Sequence, residues 1–231
     1  MNLFIKRLMD VVLSTIALIL LFPVMLLIAF AIKLDSKGSV LYRQGRLTKG
    51  GKVFSMFKFR TMVEDAEKMG TGLFNYKNDS RVTKVGNFLR RTSLDELPQL
   101  FNVLIGDMAL VGPRPPVSYE LGEYKDLNDE YKKRFTVLPG ITGLAQISGR
   151  NELQWDEKIK FDNQYIDKFE KYGVLLDFKI LILTIIRVFA SRDIYEEKDC
   201  SLEGCSDEEI ALKAKEAVII KATKKTGTQK K

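Results

Sequence analysis

Asp95 and Glu96 stand side by side in the stretch Thr92-Ser93-Leu94-Asp95-Glu96-Leu97-Pro98-Gln99-Leu100, and cations collect around them along the chain. Arg90 and Arg91 lie just before, Arg114 sits between Pro113 and Pro115, and Lys58 and Arg60 close one face of an alternating run over residues 53–60. Taken alone, two acids at a helix start cap free N–H groups and suit the positive end of the helix dipole. Pro98 fits that reading, since proline is tolerated in a first turn. Beside these cations the same pair is equally suited to phosphate chemistry with a divalent ion. An Asp carboxylate can attack phosphorus and split one hard displacement into two easier ones, and a helix N-terminus beneath it steadies the anionic adduct. Arg grips phosphate with two bonds and Lys as a point charge, while Mg²⁺ takes one or two carboxylates together with phosphate oxygens. Lys58 and Arg60 alone fit either a solvated strand edge or a phosphate-facing pair.

Composition narrows the chemistry further. The 231 residues suit one domain or at most two small ones, and 45% hydrophobic content is enough for a core. With 29% of residues charged, a multi-span membrane protein is excluded. Lys and Arg number 37 against 30 Asp and Glu, a net charge of +7 that favours anionic partners. No nucleic-acid motif accompanies that charge, so no nucleic-acid partner is expected. There is no histidine, which removes His-based triads, imidazole bases and the usual zinc hydrolases. Cys200 and Cys205 are too few for a disulfide scaffold and read as plain cytosolic thiols. The Gly45–Lys52 glycines miss the P-loop spacing and no GxGxxG occurs.

The elements that must hold the acids begin with a run of 22 uncharged residues, positions 11–32, between Asp10 and Lys33. A straight helix of that length, about 33 Å, crosses a bilayer core of about 30 Å. Pro23 near its middle deletes a helical hydrogen bond. Bent there, with Ser14 among the hydroxyls that can satisfy freed backbone groups, the arms match one leaflet each. Cations on both flanks (Lys6 and Arg7 before; Lys33, Lys37, Arg43 and Arg46 after) are satisfied together if both ends stay cytoplasmic. From these features a re-entrant helix–break–helix and a kinked spanning helix are equally open.

Further on, residues 40–44 and 53–60 read as two strands around a Thr48-Lys49-Gly50-Gly51 turn. Helices are expected from 64, over 85–91, from about 94, over 117–135, and from 155 to 171, with a strand ending at Val111. Residues 174–189 are apolar on most of their circumference yet carry Asp177, Lys179 and Arg187, a pattern expected of a helix lying in the membrane interface. Ser206-Asp207-Glu208-Glu209 is a capping box, and the lysine-rich end after it is expected to be disordered and to touch anionic lipid.

Several long motifs together resemble the bacterial sugar transferases, the small monotopic phosphoglycosyl transferases that start membrane-bound glycan assembly. The resemblance runs through Lys58-Phe59-Arg60-Thr61-Met62, the whole of Asp79-Ser80-Arg81 to Leu100, Gly106-Asp107-Met108, Leu110-Val111-Gly112-Pro113-Arg114-Pro115, Pro139-Gly140-Ile141-Thr142-Gly143 and Ser148-Gly149-Arg150-Asn151. Lys6-Arg7-Leu8-Met9-Asp10 with Pro23 matches the family's membrane segment, and beside long-form members with extra N-terminal spans the chain is expected to be the minimal catalytic unit. Ala145 departs from the larger residue many members carry there.

The resemblance implies transfer of a sugar 1-phosphate from a UDP-sugar to a polyprenyl phosphate, with Mg²⁺ and release of UMP. It implies Asp95 as the nucleophile that forms a covalent phospho-sugar intermediate, and Glu96 as its partner at the metal or the acceptor phosphate. Lys58, Arg60, Arg90 and Arg114, with Pro113 and Pro115, would hold phosphates, and the loop from Thr142 to Arg150 would shape the phosphate or acceptor site. It also turns the open choice at Pro23 and Ser14 to the re-entrant form. The expected fold class is α+β and helix-rich: a monotopic membrane protein with an N-terminal re-entrant helix over 1–33, interfacial amphipathic helices around a small cytoplasmic catalytic domain over 34–194, and a tail over 195–231, on the cytoplasmic face of the bacterial inner membrane. Two rivals are direct single displacement, with the acids only holding Mg²⁺, and a basic membrane-tethered adaptor whose acids are caps.

Overall fold

The computed structural model describes residues 3–69, 79–149 and 154–190. Helix α1, Leu3–Asp35, runs without interruption with Pro23 inside it, so the expected break is not a gap in the helix. At 33 residues it is about 50 Å long, and it is long and apolar enough to cross a membrane. Its buried residues, Lys6, Asp10, Ser14, Leu18, Met25, Ile28 and Ile32, recur every three, four or seven positions and form one stripe. The opposite side is also apolar but exposed, with Phe4, Ile19, Leu20, Leu27 and Phe30 among the most open.

Both ends of α1 are bonded to the same body. Near the start, Arg7 donates to the carbonyls of Val103 (2.6 Å) and Leu104 (3.0 Å). At the end, Asp35 accepts from the Val85 N–H at 3.0 Å. Arg60 donates to the carbonyl and hydroxyl of Ser36 just beyond.

Strands β1, Leu41–Leu47, and β2, Val53–Phe59, form the expected antiparallel hairpin, with Tyr42 opposite Lys58. The turn between them is tight, and Gly50 and Gly51 both take positive φ there. The helix expected from residue 64 is a single 3₁₀ turn, Ala66–Lys68. Helix α2, Lys84–Thr92, is capped by Thr83, whose hydroxyl accepts from the Gly86 N–H. A side chain at Gly86 would collide with the Thr61 carbonyl, so this glycine lets α2 lie on the end of β2. A 3₁₀ turn, Leu94–Glu96, leads through Pro98 into α3, Gln99–Ile105, and then β3, Ala109–Val111.

The helix expected over 117–135 is not there. Gly122 takes φ 80° there, outside helical geometry. A 3₁₀ turn, Tyr124–Asp126, and the short α4, Asp129–Lys133, capped by Asn128, take its place. A further 3₁₀ turn, Arg134–Thr136, leads to β4, Gly140–Thr142, which pairs in parallel with β3. Gly140 and Gly143 pack so closely on the Gly112 backbone that neither has room for a side chain. The glycine motif is therefore a close backbone approach. Helices α5, Leu144–Ser148, α6, Trp155–Tyr172, and α7, Val174–Ala190, complete the order.

One core gathers Leu18, Ile28 and Ile32 of α1, Phe54 and Met56 of β2, Leu89, Val103, Met108, Val111, Phe169 and Ile180. A smaller one holds Leu47, Leu121, Leu127, Tyr131, Phe135 and Ile159. Between α1, β3, α6 and α7 lies a buried polar cluster. Lys6 Nζ donates to Asp177 (2.7 Å) and the Val111 carbonyl (3.0 Å), Tyr165 donates to Asp177 (2.8 Å), and Asp10 accepts from the Leu110 N–H (3.1 Å). Asp177 is thus a paired core residue rather than a headgroup contact. The outward side of α7, with Leu175, Ile182 and Ile186, stays exposed.

Candidate active site

The acids arrive on a sharp corner. Helix α2 ends where Ser93 takes a left-handed conformation, φ 58°, and the following 3₁₀ turn presents Asp95 and Glu96 toward β2. Asn102, fully buried on α3, fixes that approach by accepting from the Phe57 N–H (2.9 Å) and donating to the Ser55 carbonyl (2.8 Å). Lys58, one residue further along β2, then reaches Glu96 Oε1 at 3.0 Å and Asp95 Oδ2 at 4.0 Å. From the other side Arg114 Nη2 binds the same Oε1 at 2.9 Å. The carboxylates spend their contacts on cations, and no side-chain cap is formed on the turn or on α3.

The two acids are electrically unequal. Burial raises the Glu96 carboxyl, but Arg114 and Lys58 outweigh it and hold Glu96 well below the usual carboxylate range. Asp95 is pushed above its usual value, by burial first and by the Glu96 charge, against the pull of Lys58, Arg90 and Arg114. Glu96 is a fixed anion that sets the cations in place, while Asp95 is the more basic, less committed carboxylate. The Arg114 side chain is 44% exposed, which leaves the cluster open on its side.

Not every expected site residue joins them. Arg90 donates through Nε to the Thr61 hydroxyl at 2.8 Å and bears electrostatically on Asp95. Arg60 is buried and turned to Ser36 and Lys37, where it ties β2 to the end of α1. Pro113 and Pro115 flank Arg114, and their carbonyls accept from the Gly140 N–H (2.9 Å) and Arg46 (2.8 Å). Thr142 shares a hydroxyl contact of 2.7 Å with Thr184 of α7, and its carbonyl accepts from the Gly112 N–H. The Ser14 hydroxyl is buried with no hydrogen-bond partner among the described residues. Arg150 lies outside the described residues, as do Cys200, Cys205 and the tail.

Two residues next to the site were not expected there, Arg134 and Arg46 (the latter noted only as a cation flanking the apolar run), and each is bonded to a carbonyl of the Arg114 loop. Their partners stand 69 and 20 positions away, and no short motif connects them.

Among the described residues no three acids, cysteines or histidines converge. The adjacent Asp95 and Glu96 carboxylates still fit a magnesium ion that draws its other ligands from phosphate and water, since both cation contacts to Glu96 fall on one oxygen, Oε1.

A small α+β body thus carries an apolar helix long enough to cross a membrane, bonded to it near both ends, and a basic cluster around two unequal carboxylates. The chain belongs to the bacterial sugar transferase family, whose model matches residues 1–191. It is 45% identical over 201 residues to a UDP-glucose:undecaprenyl-phosphate glucose-1-phosphate transferase of Klebsiella pneumoniae, covering 84% of this chain and 42% of that protein. It is 41% identical over 204 residues to an undecaprenyl-phosphate galactose phosphotransferase of Salmonella typhimurium, covering 82% and 41%. An exopolysaccharide production protein, ExoY, of Sinorhizobium fredii is 38% identical over 204 residues, covering 82% of this chain and 88% of that protein. The chain thus spans less than half the length of the first two.

Proposed function

We propose that this protein transfers a sugar 1-phosphate from a UDP-sugar to undecaprenyl phosphate, or a similar polyprenyl phosphate, in two displacements at Asp95. An Asp95 oxygen attacks the sugar-bearing phosphorus, the bond to the bridging oxygen breaks, and UMP leaves with that oxygen. A phosphate oxygen of the lipid then attacks the same phosphorus, releases the Asp95 carboxylate and forms the polyprenyl diphosphosugar. The observation that carries this reading is the split between the acids, one fixed as an anion by Lys58 and Arg114, the other kept basic beside the same cations. The names of the relatives support the substrate class.

Lys58 and Arg114 hold diphosphate oxygens and neutralise charge as it moves from nucleophile to leaving group. Arg90 contributes from the end of α2. Asp95 and Glu96 hold Mg²⁺, which when bound offsets the charge of the diphosphate. Both ends of α1 are read as lying on the same side of the membrane, because Arg7 near its start and Asp35 at its end bind one body. The catalytic domain then lies on the cytoplasmic face of the inner membrane, with the outward sides of α1 and α7 in lipid.

Intact-protein mass after incubation with Mg²⁺ and a panel of UDP-sugars, without lipid, tests the mechanism. A gain of one sugar phosphate with UMP released, absent in Asp95→Asn, is the expected result. Transfer to added lipid phosphate with no adduct under any condition would overturn the two-step route in favour of single displacement.

A further inference from the structure

The Val111–Pro116 loop, which carries Arg114, contains prolines at 113, 115 and 116, so at those positions it offers no N–H. It can be held there only through its carbonyls, and nearly every one is taken. Val111 O accepts from Lys6 (3.0 Å) and Tyr165 (3.2 Å), Pro113 O from the Gly140 N–H, and Pro116 O from the Leu47 N–H. The two carbonyls at the centre are held by guanidinium groups. Arg134 Nη2 donates to Arg114 O, and Arg46 Nη1 donates to Pro115 O at 2.8 Å.

Neither guanidinium is free to wander. Arg134 is buried, paired with Asp162 at 3.0 Å, and lies 5.3 Å from the Trp155 ring centre and 5.7 Å from that of Phe135. Arg46 is pinned by the Gln44 side-chain oxygen at 3.0 and 2.7 Å. We propose that Arg46 and Arg134 are positioning residues that act through Arg114, clamping the peptide on its C-terminal side so that its guanidinium stays aimed at Glu96 and at the phosphate bound there. Two consecutive carbonyls fixed from two different elements leave the direction of the Arg114 side chain little freedom. The proximity is also electrostatic, since burial and then the Arg114 charge push Arg46 down to about 10. A phosphate entering the site therefore meets Arg114 with a second cation behind it.

The proposal rests on the phosphate-handling reading of Arg114, and its test separates the two. The full-length protein in detergent is treated with phenylglyoxal, labelling at Arg114 is timed by peptide mass spectrometry, and UMP release is measured in parallel. Arg46→Gln and Arg134→Lys are expected to raise the Arg114 labelling rate severalfold. They should also lower kcat by about 10- to 100-fold, the scale of a small misplacement of a positioning group. Placed on Arg114→Lys, either change should add less than about twofold, because residues that act as a unit are not additive. Arg46→Lys, which still reaches Pro115 O as a point charge, should recover part of the protection.

Losses that multiply with Arg114→Lys, or an unchanged labelling rate, would overturn the clamp while leaving the reaction standing. A labelling rate that responds in a protein releasing no UMP from any UDP-sugar supports the clamp and sinks the reaction. If Arg134→Lys does not fold, Arg46→Gln alone decides.

Discussion

At the scale of single residues the site depends on an inequality between neighbours. In the proposed reaction Asp95 must be ionised to attack, and burial holds its carboxyl above the ordinary Asp value of about 3.9. Adduct formation should therefore fall away on the acid side at a higher pH than a free carboxylate would give. Lys58 pulls the Asp95 value down, so Lys58→Gln should move that acid limb upward as well as slow the reaction; pre-steady-state adduct yield against pH measures both. Asp95→Asn should abolish the adduct and cut turnover by at least about 10⁴-fold, as loss of a nucleophile does, while the melting temperature holds. Glu96→Gln should behave differently. It leaves Lys58 and Arg114 facing each other without their anion and should cost about 1–3 kcal/mol of stability by thermal denaturation, less than a fully buried pair because Arg114 reaches solvent. The pair was legible in the sequence because the acids are adjacent. Their electrical inequality was not, since it depends on Lys58 and Arg114, which stand 38 and 18 positions from Glu96. Arg60 shows the converse: alternation put it on the Lys58 face, and its true partners, Ser36 and Lys37, follow α1.

At the scale of elements, what periodicity and caps dictate locally was readable and what distant strands dictate was not. The hairpin, α2, α6 and α7 follow from alternation, helical spacing and the Thr83 cap. The parallel pairing of β3 with β4 rests on three-residue strands about thirty positions apart, too short to leave a pattern. The expected helix over 117–135 failed because its apolar spacing belongs to a loop folded over Leu121, Leu127 and Tyr131, which carry the smaller core. For α7, charge was read as exposure, yet Asp177 is the innermost of its charges, bonded to Lys6 and Tyr165. Lys6→Met should therefore cost about 3–5 kcal/mol by leaving Asp177 buried and unpaired, and the double change Lys6→Met with Asp177→Leu should recover most of it. The topology of α1 is open to cysteine labelling. With Cys200 and Cys205 replaced by serine, single cysteines at Phe4 and Leu34 should both react with an impermeant maleimide only from the cytoplasmic side; opposite-side labelling would restore a spanning helix.

At the scale of the whole molecule, apolar surface and charge work together. The outward sides of α1 and α7 present large aliphatic and aromatic residues to their surroundings, while the chain carries net +7. Retention on vesicles should therefore survive about 1 M salt, where surface charge is screened within about 3 Å, but yield to detergent. Replacing Leu20 and Ile182 with glutamate should weaken flotation with vesicles without moving the adduct assay. In the proposed reaction, a nucleophile on a body moored this way would need no travel to meet an acceptor whose phosphate lies at the bilayer surface.

The contact between Lys6 and Asp177 spans 171 positions, which sets a timetable for biogenesis. At about 5–20 residues per second of synthesis, the first helix emerges on the order of 10 to 30 s before the residue that locks it in place. Throughout that interval Lys6 lacks Asp177, and in the proposed membrane setting α1 would settle at the bilayer on its own apolarity. A nascent chain stalled before α7 should consequently remain sensitive to protease at residues 103–111, and become resistant only once Asp177 has cleared the ribosome.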